Sequence, residues 1–197
     1  GDSSERGEQS DIGDLAKAAE TSTVGSRGLV FLPFLDGAAS PHADAQARGA
    51  FLGATSTHRR GDFVRAVMEG VAYNFREAFE TFAGLGQVTR RIRIGGGGSR
   101  SVLWQGILAD VIGTGLDLLA EHDASALGAA VISAVGTGAH ADFTHACKTM
   151  VRIRGSVEPD KRRQELYREY YAVYQAFHPR VRELSHTLGG LARRSVV

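Results

Sequence analysis

This chain is poor in sulfur, in proline and in long apolar runs. A single cysteine, Cys147, stands among 197 residues, so no internal disulfide can form and nothing calls for an oxidising compartment. A reduced, cytoplasmic setting is expected. No apolar stretch approaches the roughly 18 residues of a membrane span, and the opening GDSSERGEQSDIGD is polar and acidic, where a secretion signal has a basic head and an apolar segment. Neither secretion nor membrane insertion is expected. A surplus of one charge is missing too: 23 basic and 22 acidic side chains leave a formal net charge of +1. Binding to phosphate backbones draws on concentrated positive charge, so a nucleic-acid partner is not expected either. The seven histidines form no HExxH, and His140 with His145 lacks cysteines or acids at metal-ligand spacing. No protein-held metal site is inferred.

What remains is an ordinary globular composition, 43% hydrophobic and 23% charged, with one excess. Glycine contributes 25 residues, against an average of about 7% of a chain, without the period of collagen or the serine of a linker. Glycine is therefore used locally, for backbone geometry. Residues 1–26 hold few large apolar side chains and read as a flexible segment with one short helix near 12–20. A domain follows over 27–190, and 191–197 is a tail. The apolar run GLVFLPFLDG, broken by Pro33, leads into a polar loop reaching Arg48.

The strongest helix signal covers 62–82, where Val64, Val67, Met68, Val71, Phe75, Phe79 and Phe82 recur at spacings of three and four. Asp62 is placed to cap it, and Gly84 and Gly86 to end it. VTRRIRI then alternates as a strand with one wet face. Four glycines follow, and Ser99 or Ser101 opens a second helix stopped by Gly113. LDLLA at 116–120 reads as a strand. Residues 125–138 read as a buried helix of small side chains, and 160–188 as a long helix that Pro179 should kink or split. Strands alternating with helices indicate an α/β architecture.

The strand, glycine turn and helix at 92–112 carry the chemistry. Consecutive glycines let a backbone come into contact with a ligand, and the following helix points free amides and its positive dipole end at the same place. A nucleotide is the natural occupant; a purely structural turn with two competing helix caps is the alternative. A P-loop is excluded because no lysine lies near residues 95–98, and the dinucleotide fingerprint fails at Arg100 and Ser101.

The segment RIRIGGGGSRSVLWQGILADVIG resembles the adenine-nucleotide motif of the FGGY carbohydrate kinases. GAFLGATSTHRRGDFVRAVMEG is similar to that family's second signature, with Gly49, Gly53, Asp62, Phe63, Ala66, Val67, Met68 and Glu69 in place and Ala54 where a larger aliphatic is usual. GLVFLPFLDG, SPHADAQARG and ALGAAVISAVGTG also look like the family's C-terminal half, most of all its xylulokinase branch, over residues 28–188. Ala38 and Ala39 stand where the family commonly carries Glu-Arg.

The resemblance implies an actin-like, ribonuclease H-like α/β fold and an ATP-binding C-terminal lobe of a sugar kinase. Such a kinase transfers the γ-phosphoryl group to a hydroxyl of xylulose or a related pentulose or polyol. By the same resemblance Gly96, Gly97 and Gly98 lie against adenosine and phosphates, Ser99 and Ser101 offer hydroxyls, and Gln105 reaches the adenine edge. Any Mg²⁺ arrives with ATP, and no catalytic residue is assigned to this chain. The catalytic base and most of the sugar pocket belong to an N-terminal half that the sequence does not contain. The isolated chain is thus expected to bind ATP or ADP, to be inactive alone, and to self-associate or meet a partner lobe. A non-catalytic nucleotide-binding or assembly module derived from that lobe is the alternative. Trp104 is expected to pack beside the nucleotide, and Glu69 to make a structural hydrogen bond or salt bridge.

Overall fold

The structure is a computed structural model describing residues 13–121 and 123–194; the expectations for residues 1–12 and 195–197 lie outside it. A first helix, α1, covers residues 13–20. A 3₁₀ turn at Ser26–Gly28 leads into β1 (Val30–Leu32), which pairs antiparallel with β2 (Ala50–Leu52). Helix α2 (Arg60–Gly84) follows. A second sheet has the order β3-β4-β5, with β3 (Ile92–Ile94) parallel to β4 (Leu116–Leu119) and β5 (Ile153–Val157) antiparallel to it. A parallel pair needs a crossover, which α3 (Val102–Ile112) supplies. Helices α4 (Ala124–Gly136), α5 (Phe143–Met150) and α6 (Lys161–Arg194) complete the chain.

The core lies where α2, α3 and α6 meet β1 and β4. Val30, Leu32, Tyr73, Ile107, Val111, Leu116, Tyr167, Tyr171 and Tyr174 are buried together there. Both long helices form where periodicity places them, but their buried faces are rotated from the apolar stripes. In α2 the buried residues include Asp62, Arg65, Ala66, Glu69, Tyr73 and Glu77, while Val67, Phe75 and Phe82 are exposed. In α6 the buried line runs through Tyr167, Tyr171, Tyr174 and Phe177, with Leu166, Val173 and Leu184 exposed.

The reason is a polar network within this interface. Glu69 accepts hydrogen bonds from the Gly25 amide, the Ser26 hydroxyl, Arg65 Nε and the Tyr167 hydroxyl, at 2.8–3.0 Å. Ser22 donates to Asp62 at 2.6 Å. With Ala19 and Ser26 fully buried, this network docks residues 19–26, which composition alone reads as part of a flexible segment.

Other expectations are also revised. Asp62 sits in the first turn of α2, where its carboxylate accepts from the Arg59 amide at 2.8 Å, instead of preceding the helix. Helix α4 is largely exposed; of its residues only Val131 is buried. Its small side chains bury little area against anything but α5. Helix α6 is not split at Pro179.

Candidate nucleotide site

The glycine turn joins β3 to α3 through a 3₁₀ turn at Gly97–Arg100. Ser101 caps α3, its hydroxyl accepting from the Trp104 amide at 3.2 Å. Each glycine has its own surroundings. A methyl on Gly95 would meet Ala124 Cβ and a Leu119 methyl at 3.1 Å, and one on Gly98 would meet the Trp104 ring at 3.3 Å. Gly96 has φ +77°, which side-chain-bearing residues rarely adopt. Gly97 differs from all three: its φ is ordinary and a methyl would touch nothing within 4 Å. Nothing inside the chain requires glycine there.

That open space belongs to a crevice of about 420 Å³. One wall is Gly95, Gly96, Gly97 and Arg100; the other is Asp123, Ala124 and Ser125 at the start of α4. A cradle of side-chain-free backbone beside a lone guanidinium suits a flat anionic ligand, so a nucleotide fits the donor set.

The side chains of Ser99, Ser101 and Gln105 form hydrogen bonds within the turn and the helix start. Ser99 is buried, its hydroxyl donating to the Gly96 carbonyl at 2.7 Å. Gln105 is buried too, its amide donating to the Ser99 carbonyl at 2.7 Å, and Arg154 of β5 donates to the same oxygen at 2.8 Å. Ser99, Ser101 and Gln105 therefore brace the turn. Trp104 is half-buried against the core and lines a separate, largely apolar pocket with Phe75, Phe79 and Gly98.

Sequence reasoning missed Arg100 and the α4 wall. Asp123 had a legible signal, an acid just before a run of small residues, and it does cap α4 by accepting from the Ala126 amide at 2.9 Å. Asp110, buried in α3, accepts from the Asp160 amide and from Arg163, tying α3 to the start of α6. Among the described residues no group of three or more His, Cys, Asp or Glu is arranged to hold a metal ion. Nor is any described helix long and apolar enough to cross a membrane.

The C-terminal domain of the FGGY family of carbohydrate kinases matches residues 3–137, well over half of the chain. This chain belongs to that family. A xylulose kinase of Staphylococcus epidermidis is 31% identical to this FGGY domain over 175 residues, 89% of this chain and 35% of the relative. A glycerol kinase of Gloeobacter violaceus is 34% identical over 173 residues, 86% of this chain and 34% of the relative. The crystal structure of xylulose kinase from Rhodospirillum rubrum superposes with a TM-score of 0.78 at 31% identity, covering 90% of this chain and 36% of that one. The FGGY domain thus has the α/β, actin-like ATPase fold of the sugar kinases, stands close to xylulose kinases, and spans about a third of the length of the relatives it matches.

Proposed function

We propose that this chain is the ATP-binding lobe of a carbohydrate kinase that phosphorylates a hydroxyl of xylulose or a related pentulose or polyol. The observation that carries the reading is Gly97, a glycine with no internal cause on the wall of an open crevice. Its position in the motif shared with the FGGY kinases supports the same conclusion. Gly96, Gly97 and Gly98 present backbone to the nucleotide, while Ser99, Ser101 and Gln105 hold that backbone in shape. ATP, with Mg²⁺ on its phosphates, supplies the transferred phosphoryl group.

Phosphoryl transfer depends mainly on positioning and charge stabilisation, so a lobe that fixes the nucleotide contributes without a covalent nucleophile. The catalytic base and most of the sugar site are contributed from outside this chain, which alone phosphorylates nothing. A cytoplasmic setting goes with this reading. Phe82, Leu85 and Val88, exposed along the end of α2 and the residues after it, support self-association or contact with a partner lobe.

Trp104 is the only tryptophan, and its ring abuts Gly98. ADP should change its emission and release measurable heat in calorimetry. An unchanged spectrum with no heat would favour the non-catalytic alternative and refute the nucleotide site.

A further inference from the structure

Histidines elsewhere in the fold are committed to other residue types: His42 is bonded to Glu77 and His186 to Asp44, each at 2.9 Å, and His58 to the Thr55 hydroxyl. His140 and His145 differ. Their Nδ1 atoms face each other at 2.9 Å, and among the described residues neither ring has another hydrogen-bond or ion-pair partner. The chain brings them together locally. His140 lies in the turn after α4, its amide donating to the Ala134 carbonyl of that helix at 3.1 Å. His145 sits in the first turn of α5, its amide donating to Asp142 at 2.7 Å. The ring centroids are 5.0 Å apart and the planes are tilted by 54°, so the rings meet at their nitrogens and do not stack. His145 is exposed and His140 half-buried, which leaves the pair open to solvent.

A contact between two Nδ1 atoms needs one proton, because a neutral imidazole carries a donor on one nitrogen and a lone pair on the other. Moving that proton to the same ring's Nε2 leaves two lone pairs pointing into one gap. We propose that His140 and His145 form a two-point chelate for a divalent transition-metal ion of the copper(II) or nickel(II) class, which staples the start of α5 to the end of α4. Metal–imidazole bonds are about 2.0–2.1 Å long, so nitrogens 2.9 Å apart subtend an angle of about 90° at a shared ion. That is the angle between neighbouring ligands in the tetragonal geometry of copper(II) and nickel(II), whereas tetrahedral zinc would hold the nitrogens about 3.4 Å apart. Copper(II) also heads the affinity order of the divalent ions. No third histidine, cysteine or acid among the described residues joins the pair, so water fills the remaining positions. The ion replaces the shared proton, which passes to Nε2 through solvent, and nothing is oxidised or reduced. Helix α4 buries only Val131 and packs mainly on α5, so a bond across their junction reinforces a contact with little apolar area of its own.

The test is titration of the full chain with copper(II) chloride, read by calorimetry and by electron paramagnetic resonance, using wild type, His140→Ala, His145→Ala and the double variant. Chelation makes the second bond intramolecular, so each single variant should bind roughly a hundredfold more weakly than wild type, and the double variant no better. Copper on wild type should give a tetragonal signal coupled to two nitrogens, a readout that needs no variant to fold. Thermal melting without metal checks the folding of the variants, with His145→Gln as a second substitution at the exposed position. Amide exchange over residues 137–150 should slow in wild type when copper(II) is added and stay unchanged in the double variant. Equal copper affinity in wild type and the double variant would place the ion elsewhere and overturn the proposal, as would coupling to a single nitrogen. No binding by wild type would reduce the contact to a hydrogen bond and overturn it as well. Unchanged exchange over 137–150 at full occupancy would overturn the staple.

Discussion

The side-chain amide of Gln105 donates to the backbone carbonyl of Ser99 at 2.7 Å, folding the first turn of α3 back onto the glycine turn. The crevice wall is thus held by α3 itself, with Arg154 reaching the same oxygen from the sheet. Gln105→Leu removes a buried donor and should lower stability by about 1–3 kcal/mol in urea unfolding, with ADP affinity falling as the turn loosens. Loss of ADP affinity at full stability would instead indicate direct contact between Gln105 and the ligand.

Glu69 is the centre of the contact between residues 22–28, α2 and α6. Glu69→Ala leaves the Arg65 guanidinium buried without its carboxylate, and removal of one partner from a buried pair costs about 3–5 kcal/mol. Urea unfolding should show a loss of this size. Proteolysis should then cut first within residues 19–28, whose amide and hydroxyl anchors are gone.

Acid should weaken the junction between the 36–48 loop and α6. The His186 imidazole, bonded to Asp44 at 2.9 Å, holds that carboxyl down at about 2, helped by the Gln46 amide and Arg182. A depressed carboxyl stabilises the fold above its unfolded value, near 3.9, and that contribution disappears as pH falls toward 2. Burial and the neighbouring His42 also hold the His178 imidazole below its usual range, so stability begins to fall below about pH 6.5. Facing these groups are Glu77, bonded to His42, on α2, and His178, Arg182 and His186 on α6. Unfolding midpoints measured between pH 7 and 3 should show wild type losing its advantage over Asp44→Asn below pH 4. A constant gap would contradict this assignment.

Periodicity located α2, α3 and α6, since spacings of three and four survive whichever face is buried. It misplaced the faces of α2 and α6, because Arg65, Glu69 and Tyr167 are buried as a mutually satisfied set and no single position announces its partner. Residues 19–26 were obscured for the same reason: their anchors are the Gly25 amide and the Ser22 and Ser26 hydroxyls, not large apolar side chains. The glycine turn was legible as a motif. The hydrogen bonds of Ser99 and Gln105 within the turn were not legible, and Arg154 joins them from β5, a strand that the sequence did not reveal. Arg100 stayed hidden because the sequence does not show that the start of α4 shares a crevice with it.

The most direct test of the nucleotide site is calorimetric titration of ADP into wild type and Gly97→Ala, with thermal melting of both. A methyl at Gly97 meets no protein atom within 4 Å, so melting should be unchanged or slightly raised. ADP affinity should fall at least about tenfold, since the methyl occupies space kept for the ligand. Equal ADP binding by the two proteins, or none by wild type, would contradict the account.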